Sequence, residues 1–161
     1  MQVSRWFHRQ LQTSTEGFLW AVGQIARERH YSSPPSGRWS VARIAFHMER
    51  YDQLIGLPAL RQWLGEPFAM SNLTGSAEGD AALEEADWNN RESHSMQTVI
   101  AEFKELRADQ LVLLQQFRES AWSEERETLW GPVTLQWVVT KTYQHTLEHT
   151  DEILRMYLWW R

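Results

Sequence analysis

The amino-acid sequence predicts an all-α fold, a four-helix bundle that forms one domain over residues 1–161. Four long stretches repeat apolar residues every three or four positions, which is typical of amphipathic helices. No stretch shows the strict alternation of a half-buried strand. A length of 161 residues suits one domain, which buries roughly 70% of its unfolded surface. The four apolar stripes are therefore expected to be buried against one another.

The first helix is predicted over about residues 3–30. Its apolar positions keep the helical period of 3.6 residues and are Leu11, Thr15, Phe18, Val22 and Ile25. Residues 32–37 contain two consecutive prolines, which cannot continue a helix because proline has no backbone N–H. The helix is therefore expected to end before this segment.

The second helix is predicted to begin after Ser40, whose hydroxyl can accept a hydrogen bond from a free amide of the first turn. Pro58 is expected to end or kink this helix. Its apolar face comprises Val41, Ile44, Ala45, Met48, Tyr51 and Ile55.

A long connection, residues 56–92, separates the second and third predicted helices. Residues 57–64 favour a short helix, and residues 65–79 are rich in turn formers. Residues 78–92 carry six acidic side chains and one arginine, so we expect a solvated loop or the approach to a helix rather than a binding patch. The connection is long enough to cross the bundle, so the topology need not be simply up and down.

The last two helices are separated by a connector, residues 120–133, that contains Gly131 and Pro132. Thr134 can cap the fourth helix. The third helix has its apolar side at Met96, Val99, Ile100, Phe103, Leu106, Gln110, Leu114 and Phe117. The fourth has its stripe at Leu135, Val138, Val139, Thr142, His145, Thr146, His149, Ile153, Met156 and Tyr157. The ten tryptophans of the chain are expected to lie mostly in the core.

Composition excludes several classes of partner and chemistry. The formal net charge is −5 and there is no basic run, so we expect no nucleic-acid partner. No apolar stretch is long enough for a membrane span, and the N-terminus lacks the apolar segment of a signal peptide. The absence of cysteine excludes disulfides, thiolate ligands and a cysteine nucleophile. A cytoplasmic protein is the resulting expectation.

The motif with the clearest chemistry is the pair His145 and His149 in the fourth predicted helix. Residues four apart on a helix lie on one face with Cβ atoms about 5–6 Å apart, so both imidazoles can bind one metal ion. The alternative is a pair of core histidines bonded to a neighbouring helix, or chance spacing. Burying two unsatisfied imidazoles costs several kcal/mol, and a metal ion would remove that cost for both. His47, at the edge of the second helix's stripe, is the candidate third ligand.

Two familiar metal motifs are absent. In the zinc-protease pattern glutamate directly follows the first histidine, whereas Glu148 precedes the second histidine here and points about 100° away from the ligand face. No histidine has glutamate three residues before it, as the di-iron bundle pattern requires. Asp52 and Glu152 could accept a hydrogen bond from a ligand histidine or supply a fourth ligand. Helix-surface charge is the more common role of such carboxylates.

Two segments resemble the DinB-like (YfiT-like) superfamily of proposed metalloenzymes. The segment Trp39-Ser40-Val41-Ala42-Arg43-Ile44-Ala45-Phe46-His47, followed by Tyr51-Asp52, is similar to the second helix of that family. Members typically show Trp-Ser or Trp-Thr at its start, a histidine further along it, and a histidine pair one turn apart on the last long helix. Gly131-Pro132, Thr134-Leu135-Gln136 and His145-Thr-Leu-Glu-His149 match that later pattern. The order and length of the helices agree over essentially the whole chain.

The resemblance implies a four-helix bundle in which His47, His145 and His149 bind a divalent metal ion with water in the open positions. In the family this ion is described as zinc, nickel or iron, and homodimers are common, so the resemblance implies a homodimer here. Characterised relatives include thiol S-transferases that use bacillithiol or mycothiol, and a mycothiol-dependent maleylpyruvate isomerase.

Two hypotheses about function follow. The first is a metal-dependent transferase or hydrolase, in which metal-held thiolate or hydroxide attacks an electrophilic small molecule. Because the chain has no cysteine, a low-molecular-weight thiol cosubstrate would supply the sulfur. Tyr51 and Glu152 are candidate catalytic residues that could position a substrate or carry a proton. The second hypothesis is a non-catalytic dimeric bundle with a structural metal or none. The apolar C-terminal residues 156–160 could form its partner surface, and core packing at the helix end explains them equally well.

Overall fold

The computed structural model describes residues 2–68, 70, 73–90 and 95–160. This part of the chain is mostly helical, which confirms the predicted all-α bundle. The helices are α1 (Val3–Gln24), α2 (Val41–Tyr51), α3 (Leu57–Arg61), α4 (Ala77–Asn89), α5 (Met96–Gln116) and α6 (Leu135–Trp159). Strands β1 (Glu125–Thr128) and β2 (Gly131–Thr134) form an antiparallel hairpin before α6. No helix within these ranges is long and apolar enough to cross a membrane.

Two apolar clusters, stacked along the bundle, define the direction of each helix. The upper cluster joins the C-terminal halves of α1 and α6 to α2 and the start of α5, through Phe18, Ile44, Phe103 and Ile153. The lower cluster joins the opposite ends of α1 and α6 to α3 and the end of α5, through Leu11, Leu60, Leu114 and Leu135. Helices α1 and α6 therefore run in one direction, and α2, α3 and α5 in the other. The long connection between α3 and α5 returns along the bundle, as its length allows.

The second predicted helix is α2, continued by a π-helical turn and α3. Ser40 caps it as expected, since its Oγ accepts a hydrogen bond from the Arg43 amide at 3.2 Å. Pro58 lies in the first turn of α3 and cannot donate a backbone hydrogen bond. The backbone widens over Asp52–Gly56 into a π-helix, and the Leu57 amide donates to the Asp52 carbonyl. Pro58 therefore changes the helical pitch without ending the helical path.

Helix α1 is shorter than predicted. It ends at Gln24, because Ile25 adopts an extended conformation and is buried in the upper cluster. The segment after α1 instead contacts the first turn of α2, where the His30 carbonyl accepts a hydrogen bond from the Ala42 amide at 2.8 Å. Local apolar spacing could not reveal this change of role.

The long connection and the later connector contain more regular structure than predicted. Residues 77–89 form α4, which Ser76 caps by accepting a hydrogen bond from the Gly79 amide at 3.1 Å. None of its described side chains is buried, so it shows no apolar stripe. The hairpin strands have four residues each, too few for a readable alternation. Gly131 begins β2 with a φ of 83°, a conformation that favours glycine.

The tryptophans are not mainly in the core, contrary to expectation. Trp63 and Trp122 are buried in the lower cluster. Several others are exposed, namely Trp6, Trp20, Trp39, Trp137 and Trp159. The indole of Trp39 instead borders the histidine site described below.

Candidate metal centre

Three histidines meet between α2 and α6. The Nε2 atom of His145 lies 3.0 Å from Nε2 of His47 and 3.1 Å from Nε2 of His149. One ring nitrogen from each residue falls within 4.8 Å of the others, and all three side chains are half-buried. The structure therefore brings together the three histidines that the sequence analysis selected.

Two threonines of the α6 stripe use their hydroxyls within their own helix, so the histidines are the polar groups of this stripe that remain for the cluster. Thr142 donates its hydroxyl to the Val138 carbonyl at 3.2 Å, and Thr146 donates to the Thr142 carbonyl at 2.8 Å. Each hydroxyl is thus satisfied within its own helix, which is an ordinary arrangement for buried threonine. His145 and His149 have no comparable bond to the α6 backbone, and their rings extend towards His47.

Carboxylates hold the outer nitrogens of two of the rings. Nδ1 of His47 lies 2.9 and 3.0 Å from the two carboxylate oxygens of Glu84, and Nδ1 of His149 lies 2.7 Å from Glu152. A carboxylate accepts a hydrogen bond, so each Nδ1 carries the proton and each Nε2 presents a lone pair. Nδ1 of His145 is buried and has no hydrogen-bond partner in the described part of the chain.

Electrostatics favour the neutral form of the rings on α6. Burial lowers the pKa of His145 to about 2, and the charges of His149 and His47 act in the same direction. Burial and then the charge of His47 lower the pKa of His149, against the opposing hydrogen bond to Glu152. Neutral imidazole is the form that binds metal ions.

The three Nε2 atoms are better suited to binding a metal ion than to forming hydrogen bonds with one another. With protons fixed on Nδ1 of His47 and His149, only His145 can supply a proton between the three Nε2 atoms, so hydrogen bonds cannot satisfy them all. Ligands about 2.0–2.1 Å from one tetrahedral ion lie roughly 3.3 Å apart, close to the separations of 3.0 and 3.1 Å here. The cluster can therefore hold a metal ion, and the two carboxylates would orient its ligands.

Glu84 is a residue of the candidate site that the sequence analysis missed. Residues 78–92 were expected to be solvated, whereas the Glu84 side chain is only 17% exposed and contacts both His47 and Arg43. Burial raises the pKa of Glu84, but hydrogen bonds and charges from His47 and Arg43 outweigh it and leave the pKa lowered. Residues 91 and 92 of the acidic segment lie outside the described residues.

A pattern in the sequence could have indicated this contact. Arg43, His47 and Arg50 lie on one face of α2, at spacings of four and three residues. Each pairs with a carboxylate of α4: Arg43 with Glu84 and Glu85, His47 with Glu84, and Arg50 with Asp87. A basic face on one helix and an acidic helix nearby predict such pairing.

The indole of Trp39 forms a wall beside the histidines. Its ring centroid lies 5.1 Å from that of His47 and 6.5 Å from that of His149, nearly parallel to the latter. The guanidinium of Arg43 lies 4.2 Å from the Trp39 ring on a cation–π contact. Contacts with the histidine rings and with the Arg43 guanidinium therefore hold Trp39 next to the site.

Asp52 does not join the histidines, and its expected role as a surface charge was wrong. It is fully buried and forms an ion pair with Nε of the buried Arg107. Burial raises the pKa of Asp52, while Arg107 and Gln110 oppose the rise. Asp52 begins the π-helical turn, and its carboxylate lies inside the bundle.

Tyr51 and Glu152, the candidate catalytic residues, both contact the histidine cluster. The Tyr51 ring lies 4.3 Å from the His145 ring, and burial raises the pKa of Tyr51 to about 12 against an opposing effect of Thr142. Tyr51 therefore stays protonated near neutral pH. Glu152 accepts the bond from His149, which is the supporting role considered for it.

The remaining histidines lie elsewhere. His8 contacts Gln115, and His30 contacts the Ile25 carbonyl at the end of α1. His94 lies outside the described residues.

Comparison with known proteins places the chain in a family. The family model of the DinB superfamily matches residues 10–153. No curated protein matches the chain, and no solved structure does. The matched range contains α2, α4, α5 and the whole histidine cluster. The chain belongs to the DinB superfamily.

Proposed function

We propose that this protein is a metal-dependent enzyme in which His47, His145 and His149 hold one divalent ion. The reaction is the attack of a water or a thiol cosubstrate on a small electrophilic molecule, which is hydrolysis or thiol S-transfer. The observation that carries the proposal is the convergence of three Nε2 atoms while carboxylates hold Nδ1 of His47 and His149. Neutral imidazole accepts zinc, nickel and iron, so the proposal covers all three metals.

His47, His145 and His149 would hold the divalent ion, which would lower the pKa of a bound water or thiol and so supply a nucleophile near neutral pH. The chain itself has no cysteine, so the sulfur of a transferase reaction comes from a cosubstrate. Glu84 and Glu152 each fix the tautomer of one ligand histidine. They also place negative charge behind these histidines, which would offset part of the charge of a bound ion.

Access to the histidines supports a catalytic site over a closed structural one. A cavity of about 360 Å³ borders His47, and a second cavity of about 400 Å³ borders His149. Either volume accommodates a small organic molecule. A structural zinc site instead has four protein ligands and no room for a reactant.

Tyr51 and Glu152 have different proposed roles. Tyr51 lines the cavity at His47 with its ring, while its hydroxyl is buried and stays protonated, so Tyr51 can help to position a substrate as part of the wall but cannot act as a base at neutral pH. Glu152 lines the cavity at His149, and its side chain is 36% exposed. From this position it can accept a proton from an incoming water or thiol.

Cobalt substitution tests the proposal. Cobalt(II) loaded into metal-free protein reports its coordination through its visible spectrum, and 2-mercaptoethanol is then added. We expect the spectrum to change and a sulfur-to-cobalt charge-transfer band to appear, because an open site accepts the thiol. His145→Ala, which removes the central ligand, should show neither cobalt binding nor the band. A cobalt spectrum that thiol leaves unchanged would mean a closed, structural centre and would overturn the enzymatic proposal.

A further inference from the structure

Two cavities border the histidine cluster, and Trp39 is the one residue that both linings share. The first, called here the His47 cavity, lies between α2 and α4. The second, the His149 cavity, lies between the segment that precedes α2 and the C-terminal part of α6. Each cavity contacts a different candidate ligand of the same centre, so two molecules can approach that centre without sharing a cavity.

The His47 cavity offers an incoming molecule mostly apolar surface. Its charged lining residues are already paired: Arg43 with Glu84 and Glu85, Arg50 with Asp87, and Asp80 with the Thr74 amide and hydroxyl. The two arginines are outnumbered by the three lining carboxylates, Asp80, Glu84 and Glu85. Its apolar lining includes Leu54, Ile55, Leu73, Ala77, Ala81 and Leu83. The cavity therefore favours an uncharged molecule and disfavours an anion.

The His149 cavity differs in its charge. Arg38 lines it and forms no ion pair or hydrogen bond with any residue that the structure describes. The carboxylate that shares the cavity, Glu152, is bonded to His149 Nδ1 at 2.7 Å. The large apolar residues of the lining are Trp39, Ile44 and Met156. An unpaired guanidinium beside an apolar wall suits a small molecule with an apolar body and an anionic group.

We propose that the two cavities bind two different reactants: the His149 cavity takes an anionic molecule through Arg38, and the His47 cavity takes an uncharged apolar molecule. This assignment rests on the proposed function for its catalytic meaning, since it makes the anionic reactant the cosubstrate and the apolar one the electrophile. The binding preferences themselves follow from the lining residues and do not require a metal ion.

Two fluorinated probes test the assignment by ¹⁹F NMR titration. Fluorobenzene is uncharged, and 4-fluorobenzenesulfonate adds an anionic group that is a weak metal ligand. Both are titrated into metal-free protein, alone and together. We expect each probe to bind in the presence of the other, because the cavities are separate.

Three variants identify which cavity each probe occupies. Arg38→Gln should weaken 4-fluorobenzenesulfonate about fivefold, as expected for the loss of one charge-assisted hydrogen bond from an exposed arginine, and leave fluorobenzene unchanged. Ala81→Phe fills the His47 cavity from an exposed position and should weaken fluorobenzene alone. Arg5→Gln removes the same charge from an exposed site at the far end of α1 and should change neither.

Competition between the two probes would overturn the proposal, and so would an Arg38→Gln effect no larger than that of Arg5→Gln. The cobalt-loaded protein supplies a separate measurement. Fluorine signals of both probes should broaden relative to the zinc-loaded protein, because both cavities border the histidines. Failure to take up cobalt would count against the proposed metal function, while the titrations of metal-free protein would still decide the binding assignment.

Discussion

The Nε2 atoms of His47 and His145 lie 3.0 Å apart, although the two residues are 98 positions apart in the sequence. The upper apolar cluster makes this possible, because it packs α2 against the C-terminal half of α6. His47 lies next to the buried Met48 on α2, and His145 lies next to the buried Thr146 on α6. Folding of the core therefore assembles the histidine cluster.

Glu84 is predicted to strengthen metal binding through His47. Glu84→Gln replaces the carboxylate with a weaker acceptor, so the affinity for zinc should fall about 10–100-fold, the usual effect of such supporting groups. The measurement is competition with a chromophoric chelator. Glu85→Gln is the matched control, since Glu85 also pairs with Arg43 but does not contact His47. Equal affinities for the two variants would show that Glu84 does not support the ligand.

The pair of Asp52 and Arg107 is predicted to be important for stability as a unit. Removing one partner leaves a buried charge without its counterion, so Arg107→Met should lower the free energy of unfolding by about 3–5 kcal/mol. Asp52→Asn should also destabilise the protein. The double variant should lose much less than the sum of the two, because it buries no unpaired charge. Urea denaturation measures all three, and strictly additive losses would contradict the pairing.

Glu49 is predicted to make stability depend on pH. Burial and the charge of Glu102 raise the pKa of Glu49 from 4.5 to about 7, with Arg50 opposing them. Between these values the folded protein binds more protons than the unfolded chain. The contribution of Glu49 is therefore fully present below the unfolded value and is lost as the pH rises through about 7.

Substitution isolates this contribution. Glu49→Gln cannot ionise, so its free energy of unfolding relative to the natural protein should rise by roughly 1–2 kcal/mol between about pH 5 and pH 8. Both proteins are unfolded with urea in the presence of a chelator, so that metal binding does not contribute. Glu105→Gln, at an exposed position of α5, should show no such rise. The same pH profile for all three proteins would mean that Glu49 is ionised in the folded state.

The part of the site that could be predicted depends on local spacing. His145 and His149 are one helical turn apart, and Glu152 lies within the next turn, so their common face follows from the sequence of one helix. The prediction of His47 rests on the need of this pair for a third ligand and on the family resemblance.

The rest of the site depends on contacts between distant segments. Glu84 lies 37 positions from His47 and belongs to α4. This helix has no apolar stripe, so its sequence alone predicts a solvent-exposed segment. Asp52 lies in the widened π-helical turn that precedes Pro58, and its buried carboxylate pairs with Arg107 of α5. Arg107 lies beside Leu106 of the predicted stripe, and no apolar pattern indicates that an arginine is buried there. Pairing between helices, rather than periodicity within one, determines these positions.

The metal content of protein purified without a histidine tag or added metal tests the central claim most directly. Inductively coupled plasma mass spectrometry should find about one zinc, nickel or iron ion per chain in the natural protein. The same content is expected for His8→Ala, a histidine outside the cluster, and essentially none for His145→Ala. Natural protein without bound metal, or His145→Ala protein that retains it, would contradict a three-histidine metal centre.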